Sequence, residues 1–144
     1  MSDLEIFIRL GAAALAGGLI GLEREFHGKQ AGLRTHCLVS LGSALLMLVS
    51  IEVFNIYHHI VQVDPGRIAA QVVTGVGFLG AGTIIRSGTG IVGLTTAAGL
   101  WTASAIGLAC GLGYFHAAII TCVIALFVLV IFSKVGRKLG GRDV

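Results

Sequence analysis

The sequence predicts an all-α, polytopic membrane protein of about five transmembrane helices, and three observations predict it. Its 144 residues are 56% hydrophobic and only 12% charged, which is too little polar surface to cover a soluble core. They include one proline and 22 glycines. In so apolar a chain the glycines signal close helix packing, because disorder needs low hydrophobicity and high charge. Five apolar stretches, residues 4–22, 33–54, 68–85, 94–112 and 115–132, approach the roughly 20 residues of helix that span a hydrocarbon core of about 30 Å. The connections between them are short, so residues 1–144 are expected to form a single membrane domain.

The first stretch opens on Asp3 and Glu5 and shows no small-residue cleavage pattern before a polar start. It therefore reads as an uncleaved helix and not as a signal peptide. Glu5 and Arg9, four residues apart, are placed to pair on one helix face, with Glu52 as a third partner; snorkelling to the interface is the alternative. Gly17-x-x-x-Gly21 is a close-packing device. Glu23-Arg24-Glu25 closes this helix and Arg34-Thr35-His36 opens the second. Glu23 or Glu25 can thus pair with Arg34 across a short hairpin, either as an ion-pair network that orients two helices or as a docking or ion site.

In the third stretch Gln71 and Thr74 lie one turn apart, where an amide can hydrogen-bond across helices for roughly 1 kcal/mol. Gly75, Gly77, Gly80 and Gly82 crowd the same stretch. The run Gly75-Val-Gly77-Phe-Leu-Gly80 matches G-x-G-x-x-G, yet no acid occurs between Asp64 and Asp143 and no βαβ setting surrounds it, which excludes dinucleotide binding. Gly88, Gly90 and Gly93 then allow either an ordinary tight turn or a re-entrant segment. The fourth stretch begins with Thr95 and Thr96, placed to cap free N–H groups, at a positive helix end that can face an anion or an acidic partner. Gly99, Ala103, Gly107 and Gly111 form a ladder at four-residue spacing along it. Trp101 reads as an interfacial anchor or as a core residue. Such small-residue faces serve packing within the chain or pairing between subunits, and a symmetric homodimer is the expected assembly.

With five spans, Arg24, Lys29, Arg34, Arg86, Lys134, Arg137, Lys138 and Arg142 fall on one side of the membrane, and only Arg67 and Arg9 on or towards the other. The positive-inside rule therefore places the N-terminus outside and the C-terminus in the cytoplasm. The net charge of +3 is not gathered into a basic stripe with interleaved aromatics, which argues against nucleic acid. Cys37, Cys110 and Cys122 stand singly without C-x-x-C spacing, so neither a metal site nor a disulfide framework is expected. The adjacent His58-His59 lacks the spacing of a preformed metal site. Ser40, Ser43, Ser104 and the cysteines have no histidine at a spacing that selects one of them as a nucleophile, so no enzyme and no cofactor are expected.

Four ordered motifs carry a resemblance: Gly18-Leu-Ile-Gly21-Leu-Glu23-Arg24; Ala31-Gly-Leu-Arg34-Thr35-His36; Arg67-Ile-Ala-Ala-Gln71-Val-Val-Thr74-Gly75-Val-Gly77-Phe-Leu-Gly80-Ala-Gly82; and Gly93-Leu-Thr95-Thr96-Ala-Ala-Gly-Leu-Trp101. From Gly17 to about Tyr114 the chain resembles the MgtC/SapB family. The resemblance implies a multi-pass protein of the bacterial inner membrane, tied to adaptation to low magnesium or acid stress and, in pathogens, to survival inside host cells. It also implies a non-enzymatic regulator of another membrane complex, such as the F-type ATP synthase, with a Mg2+ or other ion transporter or channel as the alternative. Many members add a cytoplasmic ACT-like domain; the sequence ends about a dozen residues after Phe132, so regulation by such a domain is not expected here. By motif position the partner- or ion-binding candidates are Glu23, Arg24, Arg34, Thr35, Gln71, Thr95, Thr96 and Trp101.

Overall fold

The computed structural model describes residues 1–87 and 90–138. It consists of α1 (Asp3–Phe26), α2 (Leu33–Tyr57), α3 (Gly66–Thr83), a hairpin of β1 (Ile85–Ser87) and β2 (Gly90–Val92), α4 (Leu94–Leu112), α5 (Phe115–Phe127), a π-helical turn (Val128–Phe132) and α6 (Ser133–Lys138). Four helical stretches, Asp3–Phe26, Leu33–Tyr57, Leu94–Leu112 and Phe115–Val135, are long and apolar enough to cross a membrane. Arg67, Gln71 and the many glycines of α3 dilute its hydropathy. Its 18 residues still reach about 27 Å at 1.5 Å per residue.

Local chemistry sets the helix ends, and it corrects several expected boundaries. The Ser2 hydroxyl accepts from Glu5 N at 3.3 Å and starts α1 as an N-cap. The helix continues past residue 22 to Phe26 and closes where Gly28 takes φ +61°. Gly28 N there donates to Glu25 O, and Lys29 N to Arg24 O, both at 3.0 Å, the crossed pattern that a left-handed residue allows after a helix. Glu23, Arg24 and Glu25, expected to close the first helix, lie in its last turn.

The third helix spans Gly66–Thr83 instead of 68–85 because Ile84 is extended and Ile85 pairs with Val92 in the hairpin, followed by Arg86 with Ile91 and Ser87 with Gly90. β-branched residues favour that conformation. The link from α3 to α4 is thus a small β-hairpin, a departure from the all-α expectation; Gly88, proposed as part of a re-entrant connection, lies outside the described residues. Gly93 (φ +94°) then starts α4, and a Cβ on it would collide with the Thr83 carbonyl, so only glycine lets the end of α3 touch the start of α4. The fifth helix does not stop at 132 but runs through the π turn to Lys138.

α4 packs against α1, α2, α3 and α5. A Cβ on Gly17 of α1 would lie 2.6 Å from His36 O and one on Gly21 2.8 Å from Gly32 O, while on the α4 side Gly107 meets Ser40 O and Gly111 would lie 2.5 Å from Ala44 O. α2 is therefore clamped between two glycine-lined helices, backbone against backbone. Ala103 is fully buried on the same α4 face, and Gly99 lies against the His36 ring. Ala13, Ile20, Ala44, Ile106, Cys110, Ala118 and Cys122 complete the core. α3 turns only Val72, Val76 and Gly80 inward. Gly75 and Gly77 have nothing within 4 Å, so these two glycines make no helix contact within the chain. Gln71 and Thr74 are exposed on that outer side too, and the expected cross-helix hydrogen bond is not made within the chain. They sit one or two positions off the 72–76–80 register, which rotates them outward.

At one end of the bundle Arg9 pairs with Glu5 and its Nη1 donates to Gly111 O at 2.8 Å, satisfying a carbonyl at the end of α4. Glu52 is exposed and takes no part in that pairing. The Ser50 hydroxyl donates to Pro65 O and ties the end of α2 to the start of α3. The opposite end gathers the end of α1, the start of α2, the hairpin and the start of α4.

Candidate functional site

That second end is where buried polar groups collect. Glu23 and Arg24 are 9% and 3% exposed on the last turn of α1. Arg24 Nε lies 3.1 Å from Glu23 Oε2, and His27 Nδ1 lies 3.1 Å from Glu23 Oε1. The first is an ion pair by distance only: Arg24 Nε and both Glu23 oxygens have no hydrogen-bond partner among the described residues. The His27 ring also meets Glu23 O at 2.8 Å.

Facing them, His36 is fully buried in the first turns of α2, its Nδ1 donating to Gly32 O at 3.0 Å. Its Nε2 and the Ser40 hydroxyl one turn on are buried without a partner among the described residues. A buried polar atom without a hydrogen bond costs about 1–3 kcal/mol, and such atoms inside a membrane bundle are retained where they act.

The expected Glu–Arg34 pair is replaced by a cap. Glu25 Oε2 accepts from Leu33 N at 2.7 Å, serving the start of α2 as a side-chain acceptor, and no described carboxylate pairs with Arg34. Arg34 and Thr35 are exposed and line, with Glu25, Lys29 and Gln30, a recess of about 220 Å3. Lys29 and Gln30 also line a second recess, of about 260 Å3, with Gly93, Thr95 and Thr96 across from them. α4 carries no side-chain cap, so Thr95 does not cap its N–H groups; Thr95 is exposed and Thr96 only 4% exposed.

Of the eight candidates, Glu23, Arg24, Arg34, Thr35, Thr95 and Thr96 thus fall at one end, around the α1–α2 loop. Gln71 is separate, on an apolar groove between α2 and α3. Trp101 is separate as well, 52% exposed on α4, so it is not a core residue. Sequence reasoning placed His36 and Lys29 at this end without making either a candidate, and it missed Ser40 and Gln30 there. The spacing His36, Ser40, Ala44 opposite the α4 ladder was the available signal for Ser40 and for the burial of His36. Gln30 carried none beyond its place in the loop. The cysteines Cys37 and Cys122 donate to α1 carbonyls, at 3.4 Å to Ala14 O and 3.6 Å to Ala16 O.

Comparison with known proteins shows which family the sequence matches. The model of the MgtC family matches residues 10–138. YhiD of Escherichia coli (strain K12), named as a candidate magnesium transporter, is 50% identical over 143 residues, covering 96% of this chain and 66% of that protein. Protein MgtC of Salmonella typhimurium (strain LT2) is 42% identical over 132 residues, covering 92% of this chain and 54% of its own length. Protein SapB of Bacillus subtilis (strain 168) is 40% identical over 142 residues, covering 96% and 61%. The chain therefore spans between about half and two-thirds of these relatives. No solved structure matches.

Proposed function

The chain belongs to the MgtC family and is a membrane protein, and from that premise we propose that it is a non-enzymatic regulator of the bacterial inner membrane that docks another membrane complex, such as the F-type ATP synthase, during low-magnesium or acid stress. The observation that carries this reading is the contrast along the bundle. Five of the six buried atoms without internal partners among the described residues, on Glu23, Arg24, His36 and Ser40, lie towards one end, near exposed Arg34 and half-buried Lys29, and the sixth is Arg9 Nε at the other. The rest of the α1–α2–α4 interface, from Gly17 and Gly107 to Gly111, is closed backbone on backbone. An ion that keeps its water, as Mg2+ does, finds no space between α1, α2 and α4, whereas a partner reaches the polar end freely.

Five spans, with the polar end in the cytoplasm, fit this reading. α3 starts beside the end of α2 and ends at the start of α4, so it crosses the same thickness as its neighbours. The open α3 face of Gln71, Thr74 and Gly75, spaced as i, i+3 and i+4, supports a homodimer, since an exposed amide inside a membrane gains by meeting a polar partner.

The second reading, an ion transporter or channel, draws on the name of the Escherichia coli relative and on buried Glu23. Against it, the Arg24 guanidinium already sits 3.1 Å from that carboxylate and repels a cation there.

The test is a pull-down from native membranes with the tagged protein, compared with Arg34→Ala and Trp101→Ala, both at exposed positions. The docking reading expects one specific membrane partner, lost with Arg34→Ala. Retention of every partner by Arg34→Ala, together with Mg2+ flux in liposomes that Glu23→Gln abolishes, would establish transport instead.

A further inference from the structure

We propose that the β-hairpin between α3 and α4 is immersed in the head-group layer of the bilayer, where Arg86 holds an anionic lipid. This goes beyond the docking reading and needs only that α4 crosses the membrane. α4 is one of the stretches long and apolar enough to do so. Its 19 residues reach about 28 Å at 1.5 Å per residue, close to the roughly 30 Å of a hydrocarbon core. Leu94 therefore starts at the boundary of that core, and the hairpin joined to it through Gly93 lies just outside. Two three-residue strands reach only about 10 Å, and a head-group layer is itself about 5–8 Å deep on each side.

The side chains of the hairpin fit that layer better than water. Ile84, Ile85, Ile91 and Val92 are between 37% and 50% exposed. In the register of the pair, Ile85 stands opposite Val92 and Arg86 opposite Ile91. Cross-strand partners share a face and neighbours along a strand alternate, so Ile85 and Val92 point one way and Arg86 and Ile91 the other. Apolar side chains are thus open on both faces. The strands pack chiefly on each other and not on a helix, and a two-stranded hairpin without such packing is marginal in water. A docked protein covers one face of a hairpin, whereas a lipid layer covers both.

The backbone sets the depth. Among the described residues the sheet has two strands, which leaves the outward N–H and C=O groups of both edges unpaired. Hydrocarbon does not tolerate such edges; the wet head-group layer satisfies them. Arg86 is exposed, and no described carboxylate pairs with it. Along the chain no acid occurs between Asp64 and Asp143. Its apolar stem lies on the Ile91 face while the guanidinium reaches a lipid phosphate, which it binds through two parallel N–H donors. Phosphatidylcholine carries its own cation beside the phosphate and phosphatidylglycerol does not, so the anionic lipid is preferred.

The test attaches bimane singly to Ile85→Cys and to Ile91→Cys, in a background without native cysteines, in nanodiscs of phosphatidylcholine and phosphatidylglycerol. Both labels are expected to lose fluorescence to lipids brominated high on the acyl chain. Both are also expected to be shielded from aqueous iodide relative to a label on Gln30→Cys, in the α1–α2 loop. At Ile91→Cys, brominated phosphatidylglycerol is expected to quench as if enriched about fivefold over brominated phosphatidylcholine, the preference that one basic residue gives near an anionic surface. Arg86→Gln removes that difference. Iodide quenching of both labels as strong as at Gln30→Cys overturns the proposal. Bromolipid quenching on one face only means that protein covers the other, and overturns it too. Equal quenching by the two bromolipids, or a preference that survives Arg86→Gln, overturns the role of Arg86. The purified protein carries no docking partner, so failure here leaves the regulator reading standing.

Discussion

Among single residues, the closest approaches in the bundle are between helix backbones, and they give the sharpest predictions. A methyl at Gly107 would press on the Ser40 carbonyl, whereas one at Gly75 meets nothing within 4 Å. Alanine is also the better helix former by about 1 kcal/mol. Gly107→Ala is therefore expected to lower stability by about 1–3 kcal/mol through overpacking, and Gly75→Ala to leave it unchanged or raise it, as read by thermal unfolding in detergent. The same pair discriminates two glycine patterns that look alike in sequence. The Glu25 carboxylate holds Leu33 N at 2.7 Å; Glu25→Ala is expected to cost about 1 kcal/mol in the same assay, as loss of an N-terminal cap does. If Glu25→Ala unfolds like wild type, that cap does not hold the start of α2.

At the scale of elements, the junction of α3, the hairpin and α4 depends on Gly93. Its positive φ and its contact with the Thr83 carbonyl predict that Gly93→Ala separates the end of α3 from the start of α4. The expected result is faster proteolysis between residues 84 and 93, with the α1–α2 pair intact; an unchanged cleavage rate would refute the junction.

The fourth helix was legible in sequence to the residue, because Gly93 precedes it and the ladder at 99, 103, 107 and 111 repeats at helical spacing. The end of α3 was not: Ile84 and Ile85 are as apolar as the helix before them, and apolarity alone does not separate a membrane helix from an extended pair. Gly75 and Gly77 were read as packing residues because composition reports small side chains without reporting which way the helix is rotated. Only Val72, Val76 and Gly80 fix that rotation.

Across the whole molecule, the account rests on two unlike ends. One is closed by Arg9 reaching Gly111 O and by Ser50 tied to Pro65; the other carries buried Glu23, Arg24 and His36 beside open recesses lined by Lys29 and Arg34. The polar end was half legible. Charges at helix termini pointed to it, but the partner exchange at Glu25, from Arg34 to Leu33 N, depends on how the α1–α2 loop folds, which no spacing encodes. An α3–α3′ dimer further predicts that Gln71→Cys, in a background without native cysteines, gives a cross-linked dimer in membranes; monomer alone would rule out that face.

The most direct test of the central claim is thiol labelling of intact cells with a membrane-impermeant maleimide, using single cysteines at Lys29, Arg86 and Lys134 on one end and at His59 on the other. The account predicts that His59→Cys labels in intact cells and that the other three label only after the membrane is permeabilised. Labelling of Lys29→Cys or Lys134→Cys in intact cells would contradict it.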